Sequence, residues 1–282
     1  MEFSGKDVVW DMQQWKSLLV SAVSDTISFT SELAMKGGGK QTYEWEVYVS
    51  PDKIDPYVSY RLIEPAYEVW HEVEIRERCI ENFEEKALSD WKNTDNSCMN
   101  CHIHSQARSD LSMFYVRGKN GGAFLNRNGE VRKLALNDES MVSGTVYGEI
   151  HPSGRYGVFS SNVVIPGFHA LGTQRLEVYD TASDLVITDF DRNELIIPSH
   201  LSRKDVFETF PVFSADGKSI YYCAADTLTV PRDLEKLRYS LMKISFDEKT
   251  GTVGKKAEVV WDAVQHQASV CHPKCSPDGK WL

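Results

Sequence analysis

The sequence is short of the features that would settle location or chemistry at a glance. No run of eighteen apolar residues occurs, so no membrane-spanning helix is expected. The opening residues, MEFSGKDVVW, lack the basic-then-apolar layout of a secretion signal. Six cysteines (79, 98, 101, 223, 271 and 275) are too few and too scattered for a disulfide-rich scaffold. Positive charge is in deficit, with 31 Lys and Arg against 41 Asp and Glu. The net charge of −10 disfavours nucleic acid and anionic membrane surfaces, and attracts a basic protein or any other cation. No Ser-His-Asp, paired-carboxylate or phosphate-loop signature can be assembled, so no catalytic residue is assigned. Glu72, Glu74 and the stretch 81–90 read instead as a solvated helix face. Composition, at 41% hydrophobic and 26% charged in 282 residues, is that of an ordinary globular chain with room for two domains.

What is present is concentrated in one stretch. Cys98-Met99-Asn100-Cys101-His102 has the C-x-x-C-H pattern of covalent haem attachment. Two thiols at that spacing reach the two vinyl groups of one porphyrin, and the imidazole that follows is placed under the iron as axial ligand. Two other readings use the same atoms. With His104 or His71 added, the thiols and His102 make part of a zinc site. Alternatively they form an unligated or thioredoxin-like redox pair, although no βαβ pattern surrounds them. For a haem, Met113 is the expected distal ligand, eleven residues past His102 and so far enough along to pass round the porphyrin edge. A Met thioether opposite His raises the reduction potential. His71, Met141, His151 or an open position are the alternatives, and Met113 as plain core filler is another. His104 is too close to His102 to serve the same iron. Phe114 and Tyr115 are expected to pack on the ring.

The chain is expected to be mainly β. Residues 1–60 form a β-rich N-terminal region: 26–33 and 42–49 alternate apolar and polar at period two, with Gly37-Gly38-Gly39-Lys40 as the turn, and 11–20 reads as a short helix. Residues 61–142 are a mixed segment, irregular or helical around the C-x-x-C-H motif, with 72–90 helical and Cys79 a buried thiol. Covalent haem attachment normally happens outside the cytoplasm, so an export or anchor segment is expected to lie outside this chain.

From about residue 143 the sequence repeats. Glu149–Ser161 aligns with Val212–Ala224, and a third copy starts at His272. Gly154, Gly217 and Gly279 are 63 and 62 residues apart, each in a turn where Gly supplies a positive φ. A second hairpin follows in each copy: 175–180 with 185–190 across a turn at 181–184, and 240–246 with 257–261. Four strands per copy make a propeller blade, with long loops at about 160–174 and 226–239 on one face. Those loops suit partner contacts as well as a scaffold role. Residues 143–282 are therefore two blades and the start of a third, and the intact protein is expected to run further. Cys271 and Cys275 are expected on a strand, turned into packing or a disulfide rather than to metal.

The blade signatures H-P-S-G-R-Y (151–156) and S-P-D-G-K-W (276–281), with L-E-V-Y-D (176–180), resemble the TolB-type β-propeller repeats. The whole chain is similar to bacterial envelope proteins that place a single C-x-x-C-H segment ahead of such a propeller. In these, a Tyr-Arg-Leu-Ile-Glu-Pro stretch (60–65) precedes the motif and Arg-Gly-x-x-Gly-Gly (117–122) follows it. Ala215 departs from the pattern, which has Pro there. The resemblance spans roughly residues 50–282 and implies a truncated, six-bladed TolB-like β-propeller, a periplasmic or envelope location, and haem c at Cys98, Cys101 and His102. The function expected first is a monohaem electron-transfer or redox-sensing protein with no substrate chemistry of its own, whose propeller binds a partner; a haem enzyme such as a peroxidase, which needs an open sixth position, is a weaker alternative. Its expected partners are a redox protein, and a protein or saccharide ligand on the propeller. The alternative is a non-redox binding or scaffold protein with structural zinc at the Cys98/Cys101 site.

Overall fold

A computed structural model describes residues 11–63, 72–82, 84–168 and 176–282. The described residues fall into two compact units, one reaching to Ile63 with Glu74–Asp90, the other containing Trp91–Leu282.

The first unit opens with helix α1 (Met12–Ser21), capped by Asp11, whose carboxylate accepts from the Gln14 N–H at 2.8 Å. Strands β1 (Thr26–Ala34) and β2 (Lys40–Tyr48) pair along their whole length, with Phe29 stacked on Trp45 at 5.4 Å. The helix, both strands and the Gly turn fall where the sequence places them. Strands β3 (Tyr57–Leu62), β4 (Glu74–Cys79) and β5 (Glu85–Asp90) make a three-stranded antiparallel sheet. The expected helix over 72–90 is therefore absent. Its charges pair between neighbouring strands instead: Arg76 Nε lies 3.0 Å from Glu85 and Lys86 Nζ 2.9 Å from Glu77. Cys79 is a buried free thiol, as expected.

The second unit is a succession of antiparallel meanders, which is the construction of propeller blades. The first blade is β6 (Met99–His104), β7 (Leu111–Val116), β8 (Gly122–Arg127) and β9 (Glu130–Leu134). The second is β10 (Thr145–Ile150), β11 (Tyr156–Phe168), β12 (Leu176–Asp189) and β13 (Glu194–Ile196). The third is β14 (Val206–Phe213), β15 (Ser219–Asp226), β16 (Ser240–Asp247), β17 (Thr252–Val253) and β18 (Glu258–Trp261), followed by the short helix α2 (Ala263–His266). The mainly β, propeller-type fold agrees with the sequence reading.

Four local expectations do not, the first being the long loop at about 160–174, since β11 runs on to Phe168. The C-x-x-C-H segment is neither irregular nor helical but the first strand of a blade. Buried Leu111 and Met113 alternate with half-buried neighbours on β7, and that period-two pattern demands a sheet. The expected turn at 181–184 is also missing: β12 runs straight through, and one extra residue, Thr181, is absorbed as a bulge where Val163–Ala182 pairing steps to Val164–Asp180. Finally, Cys271 and Cys275 share no strand. His272 between them has φ +49°, Cys271 is exposed, and both Cys271 and Cys275 are free thiols.

The repeat turns are as the sequence requires. Gly154, Gly217 and Gly279 have φ of +76°, +70° and +70°. Asp216 and Asp278 close equivalent turns, each accepting from a Ser hydroxyl two residues earlier (2.7 and 2.6 Å) and a backbone N–H two residues later (3.1 Å in both).

Blades pack through apolar seams. Leu111, Met113, Leu125 and Leu134 of the first blade meet Ile150, Phe159 and Phe190 of the second. Val158, Leu185 and Ile187 of the second meet Phe213, Ile220, Tyr222 and Phe246 of the third. Each such side chain contributes about 1.5–3 kcal/mol when fully buried. Above the second seam lies a polar layer containing Ser160, Asn162, Ser183, Glu208 and Thr209, each at most 2% exposed. Burial drives the Glu208 carboxyl up to about 7, against the pull of Arg203, whose Nε is 3.3 Å away. A carboxyl raised on folding favours the native state below its unfolded pKa of 4.5, and that advantage is lost as pH rises through about 7. Glu208→Gln is therefore expected to stabilise the protein by about 3 kcal/mol at pH 8 and hardly at all below pH 4.5. Denaturant titrations at several pH values check this, and parallel curves for the two proteins would refute it.

Candidate functional site

Cys98 sits where the loop from a 3-10 turn (Trp91–Thr94) enters β6. Its side chain is buried, with Sγ 3.7 Å from the Met99 carbonyl oxygen. Three residues on, an ideal strand would turn Cys101 to the opposite face. The strand is not ideal there. Pairing jumps from Asn100–Tyr115 to Ile103–Met113, so Cys101 and His102 together oppose Phe114, and Cys101 takes φ +53°. This bulge re-aims the thiol and the imidazole. Both are half-buried, and the His102 ring meets that of His104 edge-on at 6.5 Å.

Tyr115 completes this corner. Its hydroxyl is buried without a hydrogen-bond partner. Burial first, and then negative charge on nearby Cys101, push its phenol well above the usual range. A phenol so placed has a proton to donate and, among the described residues, nothing to receive it. That orphan, two thiols and an imidazole are donors of the kind that a haem attached at Cys98 and Cys101 would use.

The other candidate ligands are distributed differently. Met113 is 2% exposed and embedded in the seam between the first two blades. His151 has Nε2 3.1 Å from the Gly217 carbonyl oxygen and Nδ1 2.8 Å from the Ser153 hydroxyl, so both ring nitrogens are engaged, and burial lowers its pKa. His104 Nδ1 lies 3.1 Å from the Arg108 carbonyl oxygen. Met141 is half-buried in the loop between β9 and β10, and His71 lies outside the described residues. Among the described residues no group of three or more His, Cys, Asp or Glu side chains is arranged to hold a metal ion.

Sequence reasoning missed the positional meaning of Cys101. Phe210 occupies the same bulge position in β14, where pairing jumps from Thr209–Cys223 to Val212–Tyr221, and has φ +51°. The offsets of 63 and 62 that relate the turn glycines also carry Tyr147 onto Phe210 and Phe210 onto His272. Cys101, Tyr147, Phe210 and His272 are thus equivalent positions of four successive repeats. The last three touch one another through their rings, and Cys101 lies near enough to Tyr147 for its charge to raise that phenol, after burial and Asp180. The glycine spacing was the available signal for the last three; it does not reach Cys101, 46 residues before Tyr147, whose place follows from the bulge in β6.

No family model and no curated protein matches the chain. Among solved structures it is similar to the tricorn protease, at 10% identity and TM-score 0.40, covering 85% of this chain and 25% of that one. It is similar also to an oligogalacturonate lyase in complex with manganese, at 16% identity and TM-score 0.38, covering 74% and 49%. TolB from Acinetobacter baumannii aligns at 12% identity and TM-score 0.33, covering 89% and 74%. The chain thus spans half or less of the first two structures, and likeness at these levels carries no argument about activity.

Proposed function

We propose that the chain is a monohaem c-type electron carrier or redox sensor of the cell envelope, with a propeller that engages its partner. The observation that carries this reading is the bulge in β6, which sets Cys101 and His102 side by side next to a buried phenol with no acceptor. Cys98 and Cys101 would hold the macrocycle, and His102 would supply the proximal nitrogen. Tyr115 would donate its orphan proton to a group at the haem edge or face. A haem so held supplies one-electron exchange between ferric and ferrous iron. The apolar seam beside the site would keep water and competing ligands away; Met113, the distal ligand expected from sequence, is packed within that seam. The acidic surface favours a basic redox partner. Thioether formation requires export, so the reading also places the protein outside the cytoplasm.

The test is to express the protein, with an export signal supplied, in a host that carries haem-maturation machinery. A Soret band that survives acid–acetone extraction is expected, and Tyr115→Phe should shift that band or its reduction potential while leaving attachment intact. Colourless material with stoichiometric zinc would overturn the reading in favour of a structural metal site.

A further inference from the structure

A second cluster stands at the polar end of the seam between the second and third blades. Tyr147 lies 4.6 Å from Phe210 and 5.4 Å from His272, measured between ring centres. Phe210 lies 3.9 Å from His272 and 6.5 Å from Tyr239. One carboxylate, Asp180, lies near enough to two of these rings, Tyr147 and Tyr239, for its charge to act on them. The bulge at Thr181 turns Asp180 onto the face of the second blade that Asn162 and Ser183 share, because Asp180 now pairs with Val164 and Ser183 with Asn162. There Asn162 Nδ2 donates to Asp180 Oδ2 at 2.7 Å and to the hydroxyl of Thr209, the neighbour of Phe210, at 3.0 Å.

A carboxylate only accepts, so it fixes which end of the Asn162 amide faces it. The remaining end, the carbonyl oxygen Oδ1, is buried with no hydrogen-bond partner, in a residue 2% exposed. Leaving such an acceptor unmet is costly, and a donor from a bound ligand is one way to meet it. Burial also holds Asp180 above the usual carboxylate range, and its charge adds to burial in raising both Tyr147 and Tyr239. An anion, an orphan acceptor and several aromatic faces are together the complement of a cation that carries N–H donors.

We propose that this cluster binds a primary ammonium group on a short carbon chain, with its N–H donors directed to Asp180 and Asn162 Oδ1 and its methylenes against Tyr147, Phe210 and His272. A quaternary ammonium would satisfy the aromatic faces but leave Asn162 Oδ1 unmet. The net charge of −10 adds long-range attraction for such a ligand. The proposal needs no cofactor, and it adjoins the first site, since Cys101 lies near enough to Tyr147 to raise its phenol after burial and Asp180.

The experiment is isothermal titration of the full chain with n-butylammonium and, separately, tetramethylammonium in about 150 mM salt, where weak surface attraction is screened. Saturable one-to-one binding of n-butylammonium is expected, with tetramethylammonium at least about tenfold weaker. Asp180→Asn should weaken n-butylammonium by a similar factor, and Phe210→Leu, checked with it for an unchanged melting temperature, should weaken it less. If Asp180→Asn does not fold, saturation-transfer NMR on the wild-type chain should show the butyl protons against tyrosine rings. No saturable binding, equal affinity for the two cations, or full affinity in a folded Asp180→Asn would each overturn the proposal.

Discussion

Replacing both Cys98 and Cys101 by alanine is expected to abolish the covalent haem of the exported protein, lowering Soret absorbance after acid–acetone extraction by at least about tenfold. Either single replacement should leave one thioether and a shifted band, since each thiol serves one vinyl group. The fold should survive. Cys98 is small and sits at a strand end, and Cys101 is half-buried on a bulge whose partner in the third blade, Phe210, shows that the position tolerates other side chains. Circular dichroism unchanged beside a lost Soret band is therefore the expected pair of results. A double variant that retains extractable-resistant haem would remove both thiols from the account.

The second large effect is on stability. Gly217→Ala is expected to cost about 2–5 kcal/mol, from about 1–2 for a left-handed backbone and about 1–3 for overpacking. Gly217 has φ +70°, and a Cβ there would lie 2.2 Å from His151 Nε2. The imidazole cannot retreat. Ser153 holds its Nδ1 at 2.8 Å, and Phe213 packs edge-to-face on it at 4.8 Å. Gly129→Ala is the control: it shares the positive φ, at +86°, but a Cβ there meets nothing within 4 Å. Its cost should be the backbone share alone, about 1–2 kcal/mol. Equal destabilisation of the two variants in denaturant titrations would show that the His151 contact contributes nothing.

What the residues revealed in advance, and what they concealed, follows from the reach of the forces involved. Turn chemistry is local, so the Ser-x-Asp-Gly turns at 214–217 and 276–279 could be read directly, as could the Gly38–Gly39 hairpin. Period-two alternation marked β1, β2 and the propeller strands. It failed over 72–90, because Glu74, Arg76, Glu77 and Glu85 sit in a small sheet whose charges are satisfied by pairing between strands rather than by solvent along a helix. The motif chemistry at 98–102 drew attention to two thiols and hid the strand that carries them. Nothing local announces that Cys101 takes φ +53°; the bulge exists because β7 pairs with β6 on both sides of it. Thr181 is the same lesson in reverse, since a Thr-x-x-Asp run that looks like a turn is held extended by thirteen residue pairs between β11 and β12. Tyr115 was assigned to ring packing from sequence, but the orphan state of its hydroxyl is a property of the assembled seam.

The most direct measurement is tandem mass spectrometry of the tryptic peptide 93–108 from exported protein, treated with iodoacetamide before digestion. The account predicts one porphyrin linked to both Cys98 and Cys101, with neither thiol alkylated. Recovery of the same peptide with both thiols alkylated and no macrocycle attached would contradict it.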